Sequence, residues 1–524
     1  MTSLREQGVP ADAATARRVA RYAGFRPEVQ GLRFVAVLLV VLYHVFLGRV
    51  SGGVDVFLLI SAFFLTLSFV RKLEAGRPLA IGRYWLHVFK RLLPLAALTV
   101  LGTLVLVELL YPAYDVARWR SEGLASVFYV ENWALALNAV DYYAADHSTA
   151  SPFQHFWSLS VQGQVFLVWP LVFGVAWLLG RWRGWRPVPV LAVAFAGIFV
   201  VSLGWSVHTT ATQQAFAYFD TRTRLWEFAL GSLLALALPY LRPSPRVRVV
   251  LGWAGLVSMV SVGVLVDVQG AFPGWIALWP LVSAAAIIVA GRSGSPFGLD
   301  RILASKPLVR LGDASYALYL VHWPLLITYL VLRDRPMAGP RSGVALILVS
   351  LVLAVLATTL VERPFQRWAW PERTKRRLAM SVVVSLALVA VPVLAWQHIE
   401  ERRTAQVLAA ADRNNPGAAV LEPGFEFRGD PDAPVLPLPE DLPKQPASLG
   451  TPCPEDVGLP EDYRRFCHES VPQEEARQTV LVVGNSHLQH WLPALRPLAE
   501  ERGWRVLTYI QPGCFYASAE DQPG

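Results

Sequence analysis

The stretch "GLRFVAVLLVVLYHVF", residues 31–46, is a nearly continuous apolar run that contains one arginine and one histidine. A helix that crosses a bilayer needs about 20 predominantly apolar residues, and this run supplies most of them. It lacks a small-residue cleavage site and leads directly into a second apolar run, so it is not a removable signal peptide. The stretch therefore predicts the first of several membrane-spanning helices.

The composition of the whole chain supports a membrane protein. Hydrophobic residues make up 54% and charged residues 16%, whereas soluble domains have about 45–50% and about 25%. The mean hydropathy is +0.40, and the 19 Trp and 16 Tyr are residue types favoured at membrane interfaces. The net charge of +8 comes with arginines between apolar stretches rather than on one face of a domain, which argues against a nucleic-acid partner. The predicted fold class is an all-α polytopic membrane protein.

The apolar stretches predict about eleven spans, ten in a membrane domain at 31–366 and an eleventh helix at 379–396. They lie near residues 31–47, 53–70, 92–111, 159–180, 188–206, 223–240, 248–266, 274–291, 314–332, 342–361 and 379–396. Positive charge is concentrated in the tail, residues 1–30, and in alternate loops; the loop "RDRPMAGPR", 333–341, is the one exception. By the positive-inside rule the N-terminus is cytoplasmic. An odd number of spans then places the C-terminus outside.

The chain beyond the last span has a different character. Residues 397–475 are rich in Pro, Asp, Glu and Ala, and predict an extended linker. All three cysteines, Cys453, Cys467 and Cys514, lie beyond the last span, where an oxidising compartment permits a Cys453–Cys467 disulfide. Three thiols without a role remain the alternative. Residues 476–524 begin with the apolar run "TVLVV" and the turn "GNSH", 484–487, which predict the start of a small α/β domain.

Arg33 and His44 are the candidate chemical groups of the first span. They are eleven positions apart, so they share one helix face about 16 Å apart along the axis. The arginine at the inner end could hold an anionic donor, and the imidazole could take a proton from an acceptor hydroxyl. A snorkelling arginine and a hydrogen-bonded core histidine are the alternative, and the pair alone does not decide between them.

Six motifs in order give a resemblance to a known family. After the Arg33–His44 pair come "GGVDVFLLISAFFLT", "FWSLSVQGQVFLVWP", "TRTRLWEFALGSLLA", "SYALYLVHWPLL" and "VERPF". Together they resemble the membrane acyltransferase-3 family over about residues 28–366. The "GNSH" turn resembles the first block of an SGNH esterase domain, which follows an eleventh helix in one branch of that family.

The resemblance implies an O-acyltransferase that moves an acyl group, acetyl by default, from cytoplasmic acyl-CoA to a hydroxyl of an envelope polysaccharide or glycolipid. It implies no metal. Catalytic roles fall on His44, Arg33 and Glu362, and Arg91 of "KRLLP" would meet the phosphates of CoA, for which a guanidinium fork is suited. Other positions typical of the family are Asp55, Ser61, Arg224, Glu227 and His322. An intrahelical ion pair between Arg224 and Glu227, and a simple helix end at Glu362, remain as structural alternatives.

The sequence also departs from the family pattern. Gln162 and Gly163 stand where two glutamates are usual, and Val88 stands where a second arginine is typical. These departures leave His44 in place but affect the choice of donor. A polytopic transporter or a catalytically weak member of the family is therefore the alternative function, although no internal repeat of a transporter is visible. An esterase that is merely anchored in the membrane would not need so many spans that contain ionisable residues.

Ser486 occupies the nucleophile position of the SGNH-like turn. Asn485 replaces the usual aspartate, and no Asp-x-x-His follows in the given chain. His487 and His490 are too close in sequence to serve as the base, and a serine without a base is a weak nucleophile. The expectation is an incomplete, inactive module that is part of a longer chain or is completed by a separate esterase or transferase partner outside.

Overall fold

In the computed structural model, the described residues are 26–48, 52–138, 150–265, 271–438, 441, 447–472 and 476–511. The chain divides into two compact units, Met1–Glu401 and Arg402–Gly524. The described part of the first unit is helical, and a four-stranded sheet forms in the second. This confirms the predicted fold class. Most of the cytoplasmic tail predicted at 1–30 and Cys514 lie outside the described residues.

The helices of the first unit follow one another with short connections. They are α1 (Pro27–Phe46), α2 (Gly53–Glu74), α3 (Ile81–Leu110), α4 (Ala113–Val127), α5 (Glu131–Leu137), α6 (Phe156–Arg183), α7 (Pro187–Thr212), α8 (Gln214–Phe219), α9 (Leu225–Ala237), α10 (Pro245–Leu265), α11 (Leu278–Ala290), α12 (Leu299–Leu303), α13 (Lys306–Asp313), α14 (Ser315–Arg333), α15 (Pro340–Ala357), α16 (Arg363–Arg367) and α17 (Lys375–Ala409). A π-helical turn, Thr358–Glu362, joins α15 to α16.

Within the described ranges, nine helices are long and apolar enough to cross a membrane. The predicted spans at 223–240 and 274–291 are instead the shorter helices α9 and α11, of 13 residues each. Each begins after a 3₁₀ turn, Thr221–Thr223 or Trp275–Ala277. A 3₁₀ turn shortens each helix: Leu238–Tyr240 occupies the last part of the first predicted span, and Trp275–Ala277 occupies the first part of the second.

The segment at 112–154, which lies between the predicted spans 92–111 and 159–180, contains two helices that pack into the bundle. Helix α4 packs against α3, and α5 packs against α6. The ring of Tyr129, in the turn between α4 and α5, lies 5.4 Å from that of Phe89 near the beginning of α3. Because α4 starts just after the end of α3, it must run back along α3. Residues 113–137 therefore form a re-entrant hairpin.

Helix α1 is held by close backbone contacts. A Cβ atom at Gly31 would collide with the carbonyl of Leu303, and one at Gly231 of α9 would collide with the carbonyl of Leu59 in α2. Only glycine permits these approaches. They fix α1 against α12, and α2 against α9, and so set the positions of the functional residues on α1 and α2.

The second unit contains a sheet of order β1-β2-β4-β3. Its strands are β1 (Thr451–Pro452), β2 (Cys467–Val471), β3 (Gln478–Gly484) and β4 (Trp504–Ile510). Strand β3 pairs with β4 in parallel, and helix α20 (Leu492–Arg502) connects them; two short helices, α18 (Ala411–Asn414) and α19 (Glu461–Arg464), come earlier. A disulfide joins Cys453 to Cys467.

The structure differs from the predicted boundaries at 379–396 and 397–475. Helix α17 continues to Ala409, because residues 397–409 contain neither Pro nor Gly and consist mainly of good helix formers. At the other end, β1 and β2 belong to the sheet. The linker is therefore shorter than predicted, and the C-terminal domain begins near residue 451 rather than at 476.

Candidate active site

A cavity of about 310 Å³ lies inside the first unit, between α1, α2, α3, α6 and α14. Arg33 and Arg91 line it, together with the polar side chains of Ser61, Gln162 and Ser158. Its remaining lining is mainly apolar and aromatic: Val54, Phe57, Leu58, Ile60, Phe64, Leu65, Ser68, Tyr84, Val88, Leu92, Leu159, Phe166, Tyr316 and Tyr319. The cavity can therefore hold a ligand with an anionic group and a long, less polar arm.

The two arginines make the cavity basic. Arg33 Nη1 donates to Gln30 Oε1 at 3.0 Å, and its guanidinium lies 5.6 Å from the centre of the Phe57 ring. The side chain of Arg91 is 55% exposed, and its Nε lies 3.9 Å from Glu362 Oε1. At that distance Glu362 neutralises Arg91 only in part. Most of the Arg91 guanidinium donors therefore remain available to an anion.

Glu362 ends the π-helical turn, and its side chain is only 3% exposed. Gln366 Nε2 donates to its Oε1 at 2.8 Å. Single π-turns inside helices occur frequently at functional sites because they re-aim a side chain. Here the turn directs a carboxylate toward the Arg91 side of the cavity.

The replacements at 162 and 163 have different structural consequences. Gln162 lines the cavity, where its Nε2 donates to Ser61 Oγ at 2.5 Å, and Ser61 in turn donates to the carbonyl of Phe57 at 2.8 Å. At Gly163, a Cβ atom would collide with the ring of Tyr129. The re-entrant hairpin therefore occupies the space that a glutamate at position 163 would need.

Tyr319 separates the cavity from a group of histidines. Its hydroxyl donates to the carbonyl of His155 at 2.9 Å and lies 2.7 Å from Ser158 Oγ. Its ring lies 5.6 Å from the ring of His322 and 5.7 Å from that of His155. One side of Tyr319 thus lines the cavity, and the other contacts the histidines.

His44 and His322 form a pair behind Tyr319. Nδ1 of His44 lies 3.1 Å from Nε2 of His322, and the ring planes are nearly parallel, with an interplanar angle of 11° and ring centres 5.4 Å apart. The ring of Trp323 meets His44 edge-on at 4.9 Å. His44 does not line the cavity. The structure therefore brings Arg33, Ser61 and Arg91 together around the cavity, and places His44 with His322 beyond it.

Asp55, Arg224 and Glu227 form a separate ionic cluster. Arg224 Nη1 lies 2.8 Å from Asp55 Oδ1 and 3.1 Å from Glu227 Oε1, and these side chains are at most 2% exposed. The guanidinium also lies between the rings of Trp157 and Tyr218, at 4.8 and 4.9 Å. The ion pair that the Arg224–Glu227 spacing predicts is present. It ties α2 to α9 rather than lining the cavity.

The hairpin carries two buried carboxyl groups that the sequence did not single out. Ser151 donates to Glu122, Arg118 Nε lies 3.0 Å from Glu122 Oε1, and Trp323 Nε1 donates to the carbonyl of Ser151 at 2.8 Å. Burial raises the pKa of Glu122, although Ser151 and Arg118 oppose this. Burial and the neighbouring Glu122 carboxyl raise the pKa of Glu131 well above its usual value. A polar layer therefore backs the Trp323 side of the histidine pair.

Several other residues of the site were also missed from the sequence. Ser158 and His155 belong to or adjoin the motif "FWSLSVQGQVFLVWP", and Tyr319 belongs to "SYALYLVHWPLL". Motif membership was the only available signal, because serine and tyrosine are common in apolar helices. Their juxtaposition across the bundle depends on how α6 packs against α14.

In the second unit, Ser486 follows the end of β3 and is exposed. It begins a 3₁₀ turn, Ser486–Trp491, in which the Asn485 side chain accepts from the backbone N–H of His487 at 3.0 Å. The rings of His487 and His490 lie 6.3 Å apart. Asn485 thus caps the turn that presents Ser486 to solvent.

Comparisons with known proteins match both parts of the chain. The family model for the acyltransferase domain covers residues 26–362, and that for the SGNH domain fused to AT3 domains covers 452–523. Peptidoglycan O-acetyltransferase OatA of Listeria monocytogenes serovar 1/2a is 26% identical over 364 residues, 67% of this chain and 57% of that protein. O-acetyltransferase OatA of Staphylococcus aureus strain NCTC 8325 is 27% identical over 385 residues, 70% of this chain and 62% of that protein. The chain thus spans less than two thirds of the length of these curated relatives. No solved structure matches.

Proposed function

The chain belongs to the membrane acyltransferase family whose domain it matches at residues 26–362, and on this premise we propose that it is an O-acyltransferase of the cell envelope. It transfers an acyl group, acetyl by default, to hydroxyl groups of an envelope polysaccharide or glycolipid. Two OatA relatives carry the name O-acetyltransferase, and one is named for peptidoglycan. Peptidoglycan is therefore the first acceptor to test.

One observation carries the proposal. A cavity with Arg33 and Arg91 in its lining reaches Tyr319, which contacts the ring of His322. His322 lies in hydrogen-bonding distance of His44. An anion site, the mainly apolar part of the cavity and, behind Tyr319, an acid–base group thus follow one another, and this order suits acyl transfer.

The proposed donor is acyl-CoA, with acetyl-CoA first. Arg91 and Arg33 would bind its phosphates, because guanidinium groups present forked donors that match phosphate oxygens. Ser61 and Gln162 would contact the polar groups of its arm, and the apolar lining suits the remainder. No metal takes part in the proposed reaction.

The chemistry follows from these roles. His44 takes the proton of the acceptor hydroxyl, whose oxygen forms a bond to the acyl carbon while the carbon–sulfur bond of the thioester breaks. His44 then returns the proton to the leaving sulfur, so that an ester and a thiol are the products. Glu362 contributes by holding Arg91 in place at the donor end.

We also propose the orientation of the chain in the cell membrane. The basic N-terminal tail and loops support a cytoplasmic N-terminus and a cytoplasmic donor. The C-terminal unit would then lie outside, where it could act on the envelope alone or with a separate partner. The disulfide in that unit agrees with an oxidising compartment.

The test compares envelope glycans from a deletion strain complemented with wild-type protein, with the His44→Ala variant or with an empty vector. Mass spectrometry of released glycans should show O-acetyl groups only with the wild type, at equal amounts of membrane protein. Equal acylation in the empty-vector strain would reject this protein as the acyltransferase. Equal acylation with His44→Ala would reject the proposed mechanism.

A further inference from the structure

His322 lies on α14 and contacts His44 on α1. Resting on the proposed function, we propose that His322 is a positioning residue: it fixes the tautomer of His44 so that Nε2 of His44 is the basic nitrogen. The carbonyl oxygen beside Nδ1 of His322 can only accept a hydrogen bond, and this sets the direction of the hydrogen bond to His44.

The first step concerns Nδ1 of His322, which lies 3.1 Å from the carbonyl oxygen of Leu318. A carbonyl oxygen can only accept a hydrogen bond, so Nδ1 of His322 must carry a hydrogen. The ring is only 2% exposed, and burial of a charged imidazolium would be expensive. His322 is therefore neutral, with its lone pair on Nε2.

The lone pair on Nε2 of His322 determines which nitrogen of His44 carries the hydrogen. Nε2 of His322 faces Nδ1 of His44 at 3.1 Å. Since Nε2 of His322 is the acceptor, Nδ1 of His44 must be the donor and carry the hydrogen. In neutral His44 the lone pair is then on Nε2. That nitrogen is the one that can take a proton from a hydroxyl.

The same contact favours the charged state that forms during the reaction. When His44 accepts a proton on Nε2, its Nδ1–H still donates to His322, and the hydrogen bond becomes charge-assisted. The orienting group of a Ser-His-Asp triad acts in the same way with a carboxylate. Here a neutral imidazole does so, and the nearly parallel planes of the two rings are those of an in-line hydrogen bond, while the Trp323 ring packs edge-on against His44.

The third histidine of the group does not share this role. Nε2 of His155 lies 3.1 Å from the carbonyl oxygen of Leu320, so its hydrogen is on Nε2. Its ring centre lies 6.0 Å from that of His322. His155 therefore packs beside the pair, and His322 is the histidine that accepts the hydrogen bond from Nδ1 of His44.

The test uses three variants of the purified full chain in lipid nanodiscs. His322→Leu removes the acceptor, and His322→Gln keeps an acceptor oxygen. His208→Gln is the matched control, because His208 is an exposed histidine on α7, remote in sequence from the pair. Nitrogen NMR of ¹⁵N-histidine-labelled protein, assigned with His44→Gln, reports which ring nitrogen of His44 carries the hydrogen.

We expect hydrogen on Nδ1 of His44 in the wild type and in His208→Gln, and a mixture of both tautomers in His322→Leu. With acetyl-CoA and soluble peptidoglycan fragments, kcat should fall about 10- to 100-fold in His322→Leu with little change in KM. His322→Gln should recover much of this loss. An unchanged His44 tautomer in His322→Leu, or an unchanged kcat, would overturn the inference. If the wild type transfers no acetyl group, the proposed function fails, while the tautomer measurement still decides the role of His322.

Discussion

The two ends of the candidate site are built differently. At the donor end, the Arg91 side chain is 55% exposed and most of its donors are available. At the histidine end, His322 and His155 are at most 2% exposed, and neutral hydrogen bonds and aromatic packing hold the groups. One end is arranged to receive a charged ligand, and the other to fix the direction of a proton.

Tyr319 stands between these ends, so the proposed transfer requires its ring to move. Its hydroxyl is hydrogen-bonded on both sides, by Ser158 and by the carbonyl of His155. Binding of the donor arm and proton transfer are thus separate structural tasks. Variants at the two ends should accordingly change different kinetic quantities.

The largest expected effect is at the histidine end. His44→Ala should abolish acyl transfer, with a loss of at least about 100-fold, because general acid–base catalysis supplies that much or more. The amount of protein in the membrane should not change. Arg33→Ala, at the donor end, should be similarly severe, because Arg33 lies on the same helix as His44 and lines the cavity that would bind the donor. Glycan acylation measures acyl transfer, and membrane immunoblots measure the amount of protein. Normal acylation by His44→Ala would contradict the assignment of proton transfer to the histidine end.

The next prediction uses the two positions where family glutamates are absent. Gly163→Glu should reduce the yield of folded protein strongly, since the new side chain collides with the Tyr129 ring. Gln162→Glu should fold normally, because position 162 lines the cavity. Fluorescence-detected size-exclusion chromatography of tagged proteins compares them. Equal amounts of folded protein from the two variants would show that the hairpin can move aside without a loss of stability.

Arg91→Ala should affect the donor end alone. The apparent KM for acetyl-CoA should rise about tenfold, since a charge-assisted contact is lost, while the KM for the acceptor stays the same. Arg363→Ala is the matched control: Arg363 pairs with Asp313, and it does not line the cavity. An unchanged donor KM in Arg91→Ala would mean that this arginine only sets the topology.

A smaller effect is expected from Glu131→Gln. Because the folded pKa of Glu131 is raised, the carboxyl stabilises the fold only while it is protonated, and this contribution disappears as pH rises through the folded pKa. The glutamine variant has no proton to lose. Its melting temperature should therefore exceed that of the wild type by an amount that grows between about pH 5 and about pH 8. A difference in melting temperature that stays constant across this pH range would contradict the raised pKa of Glu131.

The smallest effect is expected outside the bundle. Ser486→Ala should leave hydrolysis of a small acyl ester unchanged, because no histidine among the described residues hydrogen-bonds to Ser486, and a serine without a base is a weak nucleophile. Acyl transfer within the membrane domain should also be unaffected. Hydrolysis that disappears in Ser486→Ala would assign a role to His487, His490 or a histidine of another chain.

The sequence predicted the helices whose apolar runs are long. Helix α1 follows directly from residues 31–46, and the motif order brought in Arg91 and Glu362. The hairpin could not be predicted in the same way, because Glu122 and Glu131 are charged residues, and such residues are typical of an exposed loop. Only the packed structure shows that they are buried, at 3% and 0% exposure.

Contacts between segments that are distant in the sequence could not be predicted from it either. The approach of Tyr319 to Ser158 spans 161 positions, and that of His44 to His322 spans 278. Each depends on which helices become neighbours in the folded chain: α6 with α14 in the first case, and α1 with α14 in the second. Likewise, the short strand β1 lies in a proline-rich region, and only its pairing with β2 makes it a strand.

The contact between Gly163 and Tyr129 also constrains how such a chain can diverge. On this backbone an acidic side chain at 163 and an aromatic ring at 129 are mutually exclusive, so the two sites are epistatic. The residue allowed at 163 thus depends on Tyr129, which lies more than thirty positions earlier in the sequence.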